Sequence, residues 1–403
     1  MKIIHTSDWH IGKKLYKYEL RREHELFFEQ LTSYIEINKV DLLLVSGDVF
    51  DMANPSSDAR KLYYETLVKL MKTGCRVIIT GGNHDSPAVL NAPKEILRAL
   101  NIDVVGSKTE KLEDMIFPVQ NKFGETEAVV AAIPYLRDSE LRKFSSGQTH
   151  EEKISEVNNG IKQVFTQSAE LCREKYPGIP AIATGHIFLS GSETSDSERE
   201  IQIGAVDAFS ADMLPGYFDY YALGHIHKPK FFSRVNAAYS GSPIPLSFSE
   251  KEDRKLMKLI DTGNGTLNIS DIKLPSFRKL VYINGSFEKI KDELKNFSNE
   301  GSLPALAEVE LTGDNISSAT ITEFEDLISD FDDEEIEIVK HRITDKSQKA
   351  LAGDLFGDKT DLNELSPVDI FNKKLDSEEL NEEDRELAVD AFNEILEEIL
   401  REG

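Results

Sequence analysis

The sequence predicts an α/β fold, on three observations. Short apolar runs alternate with amphipathic stretches from residue 1 to about 270. The amphipathic stretches carry apolar residues at helical spacing and are punctuated by Pro and Gly. The 403-residue length is too great for one ordinary core and calls for two or three domains.

Taken in order, Ile3 and Ile4 open a run that ends at Asp8-Trp9-His10, and residues 19–38 read as a helix. Residues 40–46 (VDLLLVS) read as a buried strand, and residues 56–73 as a helix with Asn54-Pro55 before it and Gly74 after it. Residues 76–80, 128–133, 181–184 and 220–223 read as further strands. Gly- and Ser-rich stretches near 145–150 and 190–200 read as loops, the second placed to overhang a site. A boundary at Leu274-Pro275 closes a first domain of residues 1–274. Residues 275–345 then read as a small α+β unit, with strands at 279–283, 306–312 and 335–342 and helices at 287–297 and 322–331. Residues 346–366 read as a polar linker, and residues 367–403 as two short helices. In the second of these, Leu387, Ala388, Ala391, Phe392, Ile395 and Ile399 share one face, which either meets another chain or folds back on this one.

Composition narrows the class. An apolar fraction of 40% with 30% charged residues describes a soluble globular protein. The N-terminus reaches polar residues too early for a secretory signal, and no apolar run approaches the roughly 18 residues of a membrane helix. Two cysteines, Cys75 and Cys172, build no disulfide framework, so a cytoplasmic location is expected. The net charge of −25 speaks at first against a nucleic-acid partner. Yet residues 321–403 alone hold 27 acidic and 9 basic residues, so the C-terminal fifth carries most of it. Near the N-terminus Lys13, Lys14, Lys17, Arg21 and Arg22 cluster, either as a solvated helix face or as a contact for backbone phosphate.

Metal-ligating residue types follow the apolar runs five times. The segments are Asp8-Trp9-His10, Gly47-Asp48 with Asp51 three residues on, Gly82-Asn83-His84-Asp85, Gly185-His186, and Gly224-His225-Ile226-His227. Ligand sites of α/β sheets lie at the carboxyl ends of strands, so segments spread over some 220 residues can meet in one cleft. Carboxylates, imidazoles and an amide, without thiolates, suit Mn²⁺, Fe²⁺ or Zn²⁺. One carboxylate can bridge two cations about 3.5–4 Å apart, the spacing that clamps a phosphate ester. Each segment alone is unremarkable, since Gly-Asp is often a turn and a single His often structural. The ordered set of five is specific. Of nine histidines, five fall in these segments, and His5, His24, His150 and His341 read as structural or surface residues.

This ordered set resembles the calcineurin-like metallophosphoesterase superfamily. Thr6-Ser7-Asp8-Trp9-His10-Ile11-Gly12 and Gly47-Asp48-Val49-Phe50-Asp51, with the 275–345 unit and the acidic tail, resemble within it the SbcD family, the nuclease subunits of bacterial SbcCD complexes. The resemblance implies a β-sandwich flanked by helices, a capping domain at 275–345, and a helical tail that docks on an SbcC-like ATPase. It implies a metal-dependent DNA nuclease, acting on duplex ends as an exonuclease and on hairpins and single strands as an endonuclease, in repair and recombination. The cofactors it implies are two divalent metals, with Mn²⁺ favoured. Asp8, His10 and His227 would hold one metal, Asn83, His186 and His225 the other, and Asp48 both. His84 would protonate the leaving oxygen, and Asp51 would pair with His84 to fix the imidazole, unless it is a helix-capping or turn aspartate. A homodimer within a heterotetramer is implied, with no membrane partner. The metal motifs also admit an esterase for small-molecule phosphodiesters or phosphoprotein, or a dead-site scaffold that tethers DNA ends.

Overall fold

The computed structural model describes residues 1–121, 123–141, 149–198, 209–263, 267–299 and 301–347, and Phe371, Leu375, Arg385, Ala388, Val389 and Phe392. The chain forms two compact units. The first comprises Met1–Val281, Ser298–Ala307 and Glu334–Val339, and the second Tyr282–Phe297, Glu308–Asp333 and the chain from Lys340.

In the first unit the elements follow the predicted alternation. They are β1 (Lys2–Thr6), a hairpin of β2 (Lys14–Leu15) and β3 (Tyr18–Glu19), α1 (Arg21–Asn38), β4 (Leu42–Ser46), α2 (Ser57–Lys72), β5 (Arg76–Thr80), α3 (Pro87–Asn91), α4 (Lys94–Ala99) and β6 (Ile102–Val105). Next come β7 (Ile116–Gln120), β8 (Thr126–Ala131), α5 (Asp138–Leu141), α6 (His150–Lys175), β9 (Ala181–His186), β10 (Tyr220–Gly224), β11 (Lys230–Phe232), β12 (Ala237–Tyr239), β13 (Leu256–Asp261) and β14 (Asn268–Lys273). Local chemistry sets several ends. Ser56 caps α2 by accepting from the Ala59 N–H at 3.1 Å, and Lys39 closes α1 in the left-handed conformation. The 26-residue helix α6, absent from the sequence reading, starts at a capping box of Thr149 and Glu152.

The strands form two six-stranded sheets, ordered β14-β13-β1-β4-β5-β6 and β11-β12-β10-β9-β8-β7. Strands β1, β4, β5 and β6 are parallel, as are β8, β9, β10 and β12. Period-two alternation divides their side chains between layers. Ile4, Leu43, Val45, Val77 and Ile79 join the core that includes Phe27, Phe28 and Leu67 of α1 and α2. Their neighbours Ile3, Leu42, Leu44 and Ile78 pack against Val130, Ile182, Tyr220 and Ala222 of the other sheet. On the outer face of that second sheet, Ala183, Tyr221 and Leu223 meet Val164, Phe165 and Ala169 of α6. The unit is therefore a β-sandwich with helices outside both sheets. Central strands buried on both faces explain why their sequences are unbroken apolar runs.

His5 crosses between the sheets. Its Nδ1 lies 2.9 Å from the Tyr220 hydroxyl and its Nε2 3.2 Å from the Leu223 carbonyl oxygen. Burial, with Lys258 nearby, pushes this imidazole down to about 3. The folded protein then declines a proton that the unfolded chain accepts below about 6.5, so stability falls as pH drops from there toward 3. By pH 5 this amounts to ~2 kcal/mol. Urea unfolding in EDTA at pH 7.5 and pH 5.0 is expected to show a drop smaller by that amount for His5→Gln. Equal drops in variant and wild type would exclude His5 as the source.

Further along the chain, β15 (Leu280–Gly285), β16 (Ala305–Gly313) and β17 (Ile336–Asp345) form a sheet in the order β15-β16-β17. Helices α7 (Phe287–Lys295) and α8 (Ser318–Ser329) connect them, giving the β-α-β-α-β order read from the sequence. Glu310, 8% exposed, accepts from Arg342 at 2.9 Å and Thr344 at 2.6 Å. The predicted tail helices lie largely outside the described residues. Among those described, Phe371 and Phe392 stack at 4.0 Å and 5° and Leu375 is buried. Among the described residues no helix is long and apolar enough to cross a membrane.

Candidate metal centre

Five loops at the carboxyl ends of β1, β4, β5, β9 and β10 meet at one edge of the sandwich. The loops after β1 and β4 run side by side, with Asp8 N–H donating to Gly47 O at 3.0 Å and His10 N–H to Asp48 O at 3.0 Å. The backbone turns sharply here, for Asp8, His10, Asp48 and His225 all have positive φ. Non-glycine residues hold that conformation only where their surroundings impose it. Part of the imposition comes from Asp85, whose carboxylate accepts from Val49 and Phe50 at 3.0 Å and from Gly82 at 2.8 Å. Asp48 Oδ1 accepts from the main chain of His84, and Asp8 Oδ1 from that of His225, both at 2.9 Å. The two sheets touch closely beside the site. A Cβ on Gly224 would stand 1.9 Å from the Ser46 carbonyl oxygen, so only glycine fits there.

The side chains form three overlapping groups, Asp8–His10–His227, His10–Asp48–His84 and Asp48–His186–His225, each with ligand atoms within 4.8 Å of one another. All seven residues are buried. Asn83 joins them, its Oδ1 lying 2.9 Å from His186 Nε2 and 3.2 Å from His225 Nδ1. His186 Nε2 stands 3.2 Å from Asp48 Oδ2, and His10 Nε2 3.5 Å from it. The electrostatics match a ligand set. Burial works to raise the Asp48 carboxyl, yet His186, His10 and His84 hold it well below the carboxylate range. Burial with His186 beside it keeps His225 neutral, its pKa well below the usual imidazole value. His10 Nε2 and His227 Nε2 face each other at 3.2 Å. Two imidazole nitrogens that close, in a buried ring of oxygen and nitrogen donors, fit a divalent cation between them.

Every predicted ligand is thus in this cluster, but one expected pairing takes another form. His84 Nδ1 donates to the main-chain carbonyl of Asp51 at 2.8 Å. The Asp51 carboxylate instead lies 3.3 Å from His10 Nδ1 and 3.3 Å from Lys13 Nζ. The loop after β1 runs beside Asp51, whose N–H donates to Ile11 O, and this brings His10 to its carboxylate. Burial opposes ionisation, but His10 and Lys13 keep this carboxyl well below its usual range. Asp51→Asn is therefore expected to weaken metal binding roughly 10–100-fold, as loss of support behind a coordinating His10 would. Metal analysis after dialysis checks it; full metal content with lost turnover would return Asp51 to the chemical step.

Sequence reasoning missed Glu250, Lys255 and Ser197, which stand behind His227. Glu250 sits in the polar run Ser247-Phe248-Ser249-Glu250, which has no motif to announce it. The loop expected to overhang the site reaches it at Ser197 and Glu198, the latter accepting from His227 N–H at 2.8 Å. The Lys13–Arg22 cluster is mostly paired within the chain, Lys14 with Glu19 at 2.7 Å and Arg21 and Arg22 with Glu25 at 3.0 Å.

Residues 1–229 match the calcineurin-like phosphoesterase family, and residues 276–379 a family described as the type 5 capsule protein repressor C-terminal domain. The SbcD component of nuclease SbcCD from Escherichia coli strain K12 is 33% identical over 402 residues, 98% of each chain. The chain belongs to the SbcD family of calcineurin-like phosphoesterases. Other SbcD relatives match over about two thirds of the chain. Those of Rhodobacter capsulatus and Bacillus subtilis strain 168 are each 33% identical, over 66% of this chain and 67% of their own length. A solved β-glucosidase from Exiguobacterium marinum overlaps 85% of this chain and 88% of its own length, at 11% identity and a TM-score of 0.22, too low to signify a shared fold. As an SbcD-family member the chain is a hydrolase, a metal-dependent phosphodiesterase of the nuclease-subunit class.

Proposed function

We propose that the protein is a DNA nuclease that works with two divalent cations, most suitably Mn²⁺, as the nuclease subunit of an SbcCD-type complex in repair and recombination. The observation that supports this reading is the overlap of the three donor groups through His10 and Asp48, an arrangement suited to two cations side by side. Asp8, His10 and His227 hold one cation, Asn83, His186 and His225 the other, and Asp48 serves both. Bound cations of this kind activate a water and neutralise the phosphate charge. The chain's own residues do the rest. Asp48 stays ionised among its histidines. His84 has its Nδ1–H fixed on the Asp51 carbonyl, so its imidazolium form would pass the Nε2 proton to the leaving oxygen. A groove of about 220 Å³ adjoins Asp51, with Lys13, Lys14 and Arg21 for phosphates and Ile11, Met52 and Leu62 as apolar wall. It gives a flanking nucleotide room.

The E. coli relative is named as a component of SbcCD, and the predicted amphipathic tail fits docking on an SbcC-like ATPase. Residues 275–345 serve as the capping domain, 346–366 as linker and 367–403 as the docking segment. The protein acts in the cytoplasm, as a dimer within a heterotetramer. Degradation of linear duplex and hairpin DNA in Mn²⁺, abolished by EDTA, is the expected result. Intact DNA in the presence of an SbcC-like partner and ATP, with hydrolysis of bis-p-nitrophenyl phosphate, would instead mark a small-molecule esterase.

A further inference from the structure

His227 presents its two ring nitrogens to different surroundings. Nε2 faces His10 at 3.2 Å within the Asp8–His10–His227 group. On the far side, Nδ1 lies 2.6 Å from Ser197 Oγ and 3.2 Å from Glu250 Oε1. The Ser197 hydroxyl donates to that same Oε1. The other carboxylate oxygen receives Lys255 Nζ at 2.5 Å and the Leu246 N–H at 3.1 Å. Glu250 is fully buried and Lys255 nearly so, at 6%. A buried ion pair is weak evidence for stability, because desolvation offsets its attraction. Its placement behind a candidate ligand asks for another role.

A neutral imidazole has one donor and one acceptor nitrogen, and only the Nδ1–H form leaves the Nε2 lone pair for a cation. Here the hydrogen bonds run in one direction. Lys255 and the Leu246 N–H can only donate, so Glu250 is the acceptor at the end of the chain. Ser197 spends its one proton on Glu250 and accepts from Nδ1–H. We propose that Glu250 is a positioning residue of the metal centre, which with Ser197 and Lys255 locks His227 in the tautomer that turns Nε2 to the cation. This rests on reading Asp8, His10 and His227 as ligands of one cation. The other half of the centre lacks such a device at His186, whose Nδ1 donates to the Ser46 carbonyl at 3.0 Å. The effect of Glu250 is accordingly confined to one cation.

The decisive variant is Glu250→Gln. Lys255 and Leu246 still require an acceptor, so the amide turns its oxygen to them and its NH₂ to Ser197 and His227. That reverses the direction and puts the proton on Nε2. Mn²⁺ titration of the full chain is expected to show one site weakened roughly 10–100-fold with the other unchanged. The spin-coupled dimanganese signal should vanish at two equivalents of Mn²⁺ and return in excess. Glu250→Gln/Lys255→Met removes both buried charges together yet keeps the Leu246 donor, so it should fold and show the same one-site loss. That double variant decides the matter if the single one does not fold. Wild-type filling of both sites in either variant overturns the proposal, as does equal weakening of both sites, which marks a merely structural role. Failure of wild type to take up two Mn²⁺ strikes the two-cation reading itself.

Discussion

Alanine at His84 is expected to lower phosphodiester turnover by roughly 10²–10⁴-fold, the range that a positioned proton donor contributes, while the protein keeps two cations. The geometry separates the two effects. The main-chain N–H of His84, not its ring, donates to Asp48 Oδ1, and alanine retains it. The loop is also held by Asp85 through the main-chain N–H groups of Val49, Phe50 and Gly82, bonds that alanine at 84 leaves in place. Only the ring is lost, with its bond to the Asp51 carbonyl and its edge-on packing against His10 at 4.7 Å. Metal analysis and turnover of DNA and of bis-p-nitrophenyl phosphate are to be measured on one preparation. Because His84 also falls in a donor group with His10 and Asp48, the opposing outcome is concrete. Loss of a cation together with activity would make His84 a ligand and leave the proton donor to be found elsewhere.

A methyl group at position 224 should have the largest effect on stability. The new Cβ of Gly224→Ala meets the Ser46 carbonyl oxygen at 1.9 Å and His186 Nδ1 at 2.9 Å. Both obstacles are fixed, one being backbone of a central strand and the other a buried ring bonded to that same carbonyl. Relief requires the sheets to part, so a loss of roughly 3 kcal/mol or more is expected, the upper end of overpacking penalties. At about 2–4 °C per kcal/mol this is readily seen by calorimetry. Gly216→Ala, with nothing within 4 Å of its Cβ, serves as control and should stay within about 0.5 kcal/mol of wild type. A variant at 224 as stable as the control would mean that the sheets can slide apart at no cost.

The fold was legible where burial dictates sequence. Strands β1, β4, β5, β9 and β10 are sandwiched on both faces, so they appear as apolar runs, and each run delivers its ligands at its end. Helix α6 escaped because the reading gave the Gly- and Ser-rich stretch before it to a loop and carried no element through residues 150–175. Its start is marked only by the Thr149–Glu152 box. At the site, the ligand types were visible as a linear order, but the supports were not. Asp51 was matched to His84 but not to the atom that meets it, because whether its carboxylate or its carbonyl does so depends on loop geometry. Glu250 was invisible because its relation to His227 spans 23 residues that include β11 and β12, and no local period records such a meeting.

The cluster draws on both sheets, and two of its members, Asp8 and His225, are joined across 217 residues. During synthesis at about 5–20 residues per second, the first carboxylate waits on the order of 10–45 s before the last histidines leave the ribosome. The full donor set therefore exists only after β1 and β10 have docked in register, and capture of a full metal complement then acts as a late inspection. A chain with slipped or unpaired sheets has no place for the ion, and so no hydrolytic activity to direct at the genome.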